Sequence, residues 1–395
     1  MVDTLIKNLN CLIDGTWRPR DLSIAGGRIE AIESSLIFSA REEVDAGGAY
    51  CLPGAVDLHV HFNEPGRTHW EGFATGSAAA AAGGVTTLAE MPLNSIPSTV
   101  SVAALEQKLG IVGSKSYVDF GLWGGVVPGN ADELVPLAKA GVMGFKAFMS
   151  PSGTDDFANA DVATLKEAMR RIAPTGLRLA LHAEDPAVLQ IAGAAQASKV
   201  TAFDWEASRP IEAEMSAVRI AIDLAEASGC PITIVHVSAP EVLELISKAK
   251  SSGIDIIAET CPHYLLLSIA DADRIGTRAK CAPPLRPQVV VDGLRQALYD
   301  GLIDTVGSDH SPSSPELKEG LSFYDAWGGI SGLQHGFPLT VDLGGLKDGS
   351  WMDCLQRSFA TRPAALAGFS GKGGLQVGMD ADFVLMELSL SLIHI

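Results

Sequence analysis

The sequence predicts an α/β fold: a (β/α)8 barrel joined to a small β-sandwich-like domain built from the two ends of the chain. Three observations predict it. Eight apolar, strand-like runs recur between residues 55 and 308, separated by Ala- and Leu-rich stretches with helical spacing. Histidine, lysine and aspartate recur at the ends of those runs, where a barrel of this kind carries its reactive groups. Residues 1–50 and 366–395 read instead as short strands and turns.

Length and composition bound the answer. At about 150 residues per domain, 395 residues allow two to three domains, although an α/β barrel of about 250 residues counts as one. That length buries a large core without a disulfide or metal to staple it. Hydrophobic residues make up 47% of the chain and charged residues 19%, which excludes disorder over most of its length. Acids outnumber bases 47 to 29, and the formal charge of −18 repels phosphate backbones and anionic lipid headgroups. With no basic patch, neither nucleic acid nor a membrane is an expected partner. No apolar run reaches the roughly 18 to 20 residues that span a bilayer. Cys11, Cys51, Cys230, Cys261, Cys281 and Cys354 are scattered, without CxxC or a secretory signal, so a reducing, cytoplasmic setting is expected.

Along the chain, residues 4–13 and 21–33 read as short strands, with Ala25-Gly26-Gly27-Arg28 as a tight turn. From Cys51 the pattern changes. Barrel strands are expected near 55–61, 85–91, 118–127, 142–149, 178–183, 232–237, 254–260 and 303–308, and helices at 71–82, 131–140, 161–173, 211–229, 239–251 and 290–300. Residues 374–386 return to turns and strands that would pair with the N-terminal unit. The expected division is 1–50 for the first part of the β domain, 51–365 for the barrel and 366–395 for the remainder of the β domain.

His59-Val60-His61 stands at the end of the first barrel strand, where residues i and i+2 face the same side and both imidazoles can enter one site. A lone HxH also suits core packing. Four further polar residues end later apolar runs: Lys146, His182, His236 and Asp309. Each taken singly reads as a hydrogen-bonded core residue; together, on one rim, they read as a site. Lys146 is the most informative, because a bare ammonium inside an apolar strand is costly unless paired or deprotonated. It either meets a nearby acid or, deprotonated, adds CO2 to become a carbamate able to bridge two metal ions. Two divalent cations bring about +4, and a carbamate, one Asp and a hydroxide remove about 3, leaving a near-neutral site among neutral imidazoles. Such a pair lowers the pKa of a bridging water and polarises a carbonyl oxygen, which is hydrolytic machinery.

The residues around these positions carry a resemblance. Asp57 to Arg67 (DLHVHFNEPGR), Trp70-Glu71-Gly72-Phe73, Met91-Pro92-Leu93-Asn94-Ser95, Lys146-Ala147-Phe148-Met149, His182-Ala183-Glu184, His236-Val237-Ser238, Glu259 to Tyr264, Ala282 to Arg286 and Gly307 to Pro312 are similar to the amidohydrolase superfamily. Within it they resemble the cyclic-amidohydrolase group of dihydroorotases, dihydropyrimidinases or hydantoinases and allantoinases, and most of all the allantoin-opening branch. The similarity runs over nearly the whole chain. It implies a TIM barrel in which His59 and His61 bind the more buried metal with Asp309, Lys146 bridges as a carbamate, and His182 and His236 hold the more exposed ion. Asp309 would take the proton from the bridging hydroxide as it attacks the amide carbon and pass it to the leaving ring nitrogen. Zinc is the default ion, with cobalt, manganese or iron also suited to the donors. The family further implies a small-molecule ureide substrate and a homo-oligomer, a dimer or tetramer.

Within the group, Asn63 stands where dihydroorotases carry an Arg for the substrate carboxylate, and suits a neutral ureide. Hydantoinases and dihydropyrimidinases place a Tyr about five residues beyond the lysine, where this chain reads Met149-Ser150-Pro151-Ser152-Gly153. Donors of that loop, such as Ser152, would have to substitute. By analogy, Asn94, the backbone near Ala282, and Ser331 contact the ureide, although Asn94 is equally a turn residue after Pro92. His263 resembles a residue supporting the metal ligands. Arg67 and Arg286 either meet a carboxylate product or pair with neighbouring acids; Asp155 and Asp156 cap or solvate their loop; Trp70 and Phe73 pack the first crossover helix. The alternatives are another cyclic amidohydrolase, or a non-catalytic scaffold, which has no physical need for four histidines and a lysine on one rim. The ending Leu388-Ser389-Leu390-Ser391-Leu392-Ile393-His394-Ile395 departs from the family pattern, as a truncation or frame change would, and is expected to leave the β domain short of partners.

Overall fold

The computed structural model describes residues 1–387, so the departing segment 388–395 lies outside the described residues. Fifteen strands are present among them: β1 Val2–Ile13, β2 Thr16–Ala25, β3 Arg28–Glu33, β4 Ala40–Asp45, β5 Tyr50–Pro53, β6 Ala55–Val60, β7 Val85–Glu90, β8 Asp119–Leu122, β9 Gly124–Gly125, β10 Phe145–Phe148, β11 Leu179–His182, β12 Ile232–Ile234, β13 Ile256–Thr260, β14 Thr305–Val306 and β15 Phe383–Met386.

Parallel pairing runs through β6, β7 and β8, and again from β9 to β14. β8 and β9 form one strand position interrupted at Trp123, whose N–H still donates to Glu90 O at 3.0 Å while Gly124 N donates to Gly144 O at 2.9 Å. The ring closes between its first and last strands. His61 N donates to His310 O at 2.8 Å, and the Asp57 carboxylate accepts from His59 N at 3.0 Å and from Ser308 N at 3.1 Å. Burial lifts that carboxyl to about 6 despite these donors. The eight strand positions expected from the sequence are therefore all present around a parallel barrel.

The barrel strands are shorter than the expected ranges, two of them for a reason that lies at the site. The run 232–237 stops at Ile234 and 303–308 contracts to Thr305–Val306, because His236 and Asp309 adopt left-handed backbone, φ 43° and 46°, which no ladder continues. The six expected helices are found close to the predicted limits. Val162–Ile172 shows why they were legible: Asp161 caps it by accepting from Thr164 N at 2.8 Å, and Leu165, Ala168, Met169 and Ile172 form its buried stripe. Burying each large apolar member of such a stripe contributes about 1.5–3 kcal/mol.

The terminal segments meet in a second sheet of order β15-β5-β1-β2-β3, with β4 parallel to the first half of β1. Its core is Ile6, Leu9, Cys11, Leu22, Ile29 and Cys51. The tight turn expected at residues 25–28 separates β2 from β3, pairing Ala25 with Arg28, and β2 begins at Thr16, earlier than expected, because Asp14-Gly15 forms a two-residue turn with both φ positive, 48° and 67°. The segment Phe383–Met386 pairs antiparallel with Tyr50–Pro53, joining the ends of the chain as expected. All six cysteines are free and buried. Among the described residues no helix is long and apolar enough to cross a membrane.

Candidate metal centre

The six residues singled out at strand ends converge on the carboxyl end of the barrel. His59 and His61 leave β6, and Asp309, just past β14, places its Oδ1 3.2 Å from the Nε2 of each. The three groups form a cluster with metal-ligand spacing. The other imidazoles continue the line: the ring centroids of His59 and His236 are 5.7 Å apart, and those of His236 and His182 are 4.6 Å apart. Lys146, on β10, is wholly buried and places Nζ 5.1 Å from the Phe148 ring, which stacks on His182 at 4.6 Å.

Behind the histidines stand carboxylates. His59 Nδ1 lies 2.7 Å from Glu259 Oε1, which leaves Nε2 facing Asp309. His182 Nε2 lies 2.6 Å from Glu184 Oε2, leaving Nδ1 available, and Glu184 is itself gripped by Arg209, whose Nε donates to Oε1 at 3.0 Å. Carboxylates of this kind fix the tautomer and orientation of a ligating imidazole. From Arg209 the network continues inward. Its carbonyl accepts from Arg286 Nη1 at 2.7 Å, and Arg286 also pairs with Glu214 at 2.8 Å and Glu206 at 3.2 Å. Arg286 thus neutralises neighbouring acids. Glu214 in turn accepts from Ser238 N at 3.1 Å, two residues beyond His236, so one buried ionic chain braces both His182 and His236.

Burial governs the charge states. It lowers His61 to about 4, and it holds His182 and His236 below the ordinary imidazole value, so these three are neutral donors near neutrality. Burial opposes charge on His59 as well, but the Asp309 and Glu259 carboxylates outweigh it and raise that ring to about 9. Lys146 is pushed down to about 8 by burial, opposed by the more distant Asp309 and Glu259. Burial would raise the Asp309 carboxyl, yet His59 and His61 hold it well below the ordinary range.

The donor set fits divalent ions. Lys146 Nζ and His236 Nδ1 are buried polar atoms without a hydrogen-bond partner, an arrangement that is expensive unless something else binds there. Neutral imidazoles, a carboxylate and a lysine that burial brings towards the neutral amine supply nitrogen and oxygen donors suited to a two-ion centre.

The remaining expected residues are placed less uniformly. Asn63 is fully buried with φ 53°; its Nδ2 donates to Pro312 O at 3.3 Å and its Oδ1 has no partner. Asn94, at φ 72°, serves as a turn residue whose carbonyl accepts from Arg67 Nη1 at 2.8 Å, while its Nδ2 reaches Ser311 Oγ at 3.5 Å across the barrel mouth. Ser152 is occupied within its own loop, donating to Phe157 O at 2.6 Å. Ala282 is half-buried, and Ser331 is exposed beside Ile330, which bridges to His310. His263 is buried with its Nε2 unpartnered, 4.3 Å from Tyr264 by ring centroids, and hydrogen-bonds to none of the six converging residues. Arg67 pairs with Asp156 at 3.1 Å, which also accepts from Ser98 at 2.8 Å, so Asp156 ties loops together rather than capping one. Phe73 packs as expected against Phe62 and Phe120, but Trp70 packs instead on Trp327, 4.9 Å away, in the loop after the last barrel strand.

Sequence reasoning gave no role to Asp57, Glu184, Glu259 or Arg209. A signal existed for Glu259, a carboxylate directly after the apolar run Ile256–Ala258 and within the same strand. For Arg209 there was none, because its partner is 25 residues away and meets it only in the fold.

Comparison with known proteins places this geometry in context. The profile of the Amidohydrolase family matches residues 50–394. An allantoinase of Rubrobacter xylanophilus is 45% identical over 387 residues, spanning 98% of this chain and 85% of the relative. An allantoinase of Bacillus velezensis is 44% identical with the same two coverages, 98% and 85%. Among solved structures, the L-hydantoinase (dihydropyrimidinase) from Arthrobacter aurescens superposes with a TM-score of 0.92 at 35% identity, covering 97% of this chain and 86% of that one.

Proposed function

This chain belongs to the amidohydrolase family, and on that premise we propose that it hydrolyses the cyclic amide of allantoin, opening the hydantoin ring to allantoate. The observation that carries a hydrolytic reading is Lys146, fully buried without a partner in the midst of four imidazoles and Asp309. The choice of allantoin is supported by the full-length likeness to allantoinases and by Asn63, an uncharged buried side chain with a free carbonyl oxygen where an anionic substrate would call for Arg.

His59, His61 and Asp309 would hold one divalent ion, His182 and His236 the other, with Lys146 as a carbamate between them; zinc is the default, and cobalt, manganese or iron suit the same donors. When bound, such ions lower the pKa of water towards neutrality and polarise an amide carbonyl. The chain's own groups do the rest. Glu259 and Glu184 hold the rings of His59 and His182 in their ligating orientation. Asp309 uses Oδ1 towards both His59 and His61, leaving Oδ2 to accept the proton of the attacking water and deliver it to the ring nitrogen as the carbon–nitrogen bond breaks. The six free, buried cysteines support a cytoplasmic setting, and the family supports a homo-oligomer.

A hydantoinase-like preference is the second reading, favoured by the likeness to the Arthrobacter enzyme and by the hydantoin ring common to both substrates. A panel of allantoin, hydantoin, dihydrouracil and dihydroorotate, assayed with metal analysis on one preparation, separates them. Allantoin is expected to exceed the others by about tenfold or more in kcat/KM, a difference of about 1.4 kcal/mol in transition-state binding. Preference for another ring, or no turnover with two ions bound, overturns the proposal.

A further inference from the structure

The last barrel strand is followed by a long connection, residues 311–332, before the helix Leu333–Gly344. Apart from the single helical turn Pro315–Leu317 it is irregular, and irregular loops of that length are uncommon in compact domains and usually carry a function. Two lysines gather this one. Lys280 Nζ donates to Tyr324 O at 3.1 Å and to Ala326 O at 2.5 Å, and stands 4.3 Å over the Trp205 ring. Lys318 Nζ donates to Trp327 O at 3.0 Å and to Gly329 O at 2.6 Å. Both residues are buried, 5% and 7% exposed, and their hydrogen bonds go to backbone carbonyls rather than to a carboxylate.

Burying an ammonium without a counter-charge is unfavourable, and burial pushes both lysines down to about 8. The four carbonyls they collect lie within residues 324–329, and the consequence is felt at the site. Gly329, φ 123°, approaches Ser311 so closely that a Cβ there would stand 2.4 Å from Ser311 O. Its N–H donates to Lys280 O at 2.8 Å, and the next residue, Ile330, accepts from Ser311 N at 3.1 Å and bridges to His310. The segment therefore lies directly against Asp309-His310-Ser311, and Trp327 meets Trp70 of the loop after the first barrel strand. On the other flank, Trp205 Nε1 donates to Cys281 O at 2.8 Å, beside Ala282.

We propose that Lys280 and Lys318 are positioning residues that hold the 324–329 segment closed as one wall of the ureide pocket, so that they govern substrate binding rather than metal binding. The proposal rests on the ring-opening reading for its substrate. It is independent of the metal ligands, which neither lysine touches.

The test compares wild-type protein with Lys280→Met and Lys318→Met for metal content, for kcat and KM on allantoin, and for amide hydrogen exchange across residues 322–332. Metal content is expected to be unchanged, KM to rise about tenfold with kcat within about threefold, and the Trp327 and Gly329 amides to exchange faster. Unchanged KM in a folded, metal-loaded variant overturns the proposal, as does loss of metal in step with activity. Should wild-type protein open none of the ureides, the function reading fails, while exchange still decides whether the lysines hold the segment. Should neither variant fold, exchange in wild-type protein decides: protection of Trp327 and Gly329 comparable to that of β13 supports the clamp, and exchange at the rate of a free peptide overturns it.

Discussion

His59 Nδ1 lies 2.7 Å from Glu259 Oε1, so a buried carboxylate on the seventh barrel strand sets the orientation of a histidine on the first. The pairing hands the opposite ring nitrogen to the centre, beside Asp309. Glu259→Ala is expected to weaken metal affinity about 10–100-fold, and Glu259→Gln less, because its amide oxygen can still accept from Nδ1. Competition with a metal-binding dye measures this; undiminished affinity in the Ala variant means that the carboxylate does not support the ligand.

Gly307 guards the same pair. A Cβ at this position would stand 2.9 Å from His59 Cβ and 3.1 Å from Glu259 Oε2. Gly307→Ala is expected to cost about 1–3 kcal/mol by overpacking and to reduce metal retention at the same time. Denaturant unfolding of stripped and loaded protein reads both effects, and a variant as stable and as well loaded as wild type contradicts the close packing.

Lys146→Ala removes the group proposed to bridge as a carbamate, a fully buried lysine whose Nζ lies 5.1 Å from the Phe148 ring that stacks on His182. Activity is expected to be lost, with partial recovery on adding a small carboxylic acid that supplies the two missing oxygens. Full activity without rescue contradicts the carbamate.

Glu184 gives a pH signature. Burial alone would raise its carboxyl, but Arg209 and His182 outweigh burial and hold it at about 2, against an ordinary 4.5. Between those values the unfolded chain binds more protons than the folded one, so stability rises with pH through the window; the contribution is complete above about 4.5 and lost as pH falls towards 2. Glu184→Gln is therefore expected to flatten the acid limb of the stability profile between pH 2 and 4.5. A limb parallel to that of wild type contradicts the pairing with Arg209.

Lys146, His182 and His236 were legible because each interrupts or ends an apolar run, where charge or an imidazole has no cheap place. The barrel was legible for a related reason: its strands are buried on both faces and read as continuous apolar segments. β4 was not, because five of its six residues are exposed and Arg41, Glu42 and Glu43 hide the strand period. The orienting carboxylates were legible only in part: Glu259 follows an apolar run, but its partner His59 is brought to it by the fold, and Glu184, although two residues from His182, is fixed by an Arg209 that meets it only in the folded chain. Trp70 was misplaced for the same reason, since its partner Trp327 is contributed by the far end of the barrel.

The most direct measurement follows allantoin turnover while divalent metal is titrated into chelator-stripped protein, with bound metal counted on the same samples. The account predicts no turnover in stripped protein, and activity that rises to a maximum as the second ion per chain is bound. Full turnover without metal, or a maximum reached with a single ion, would contradict it.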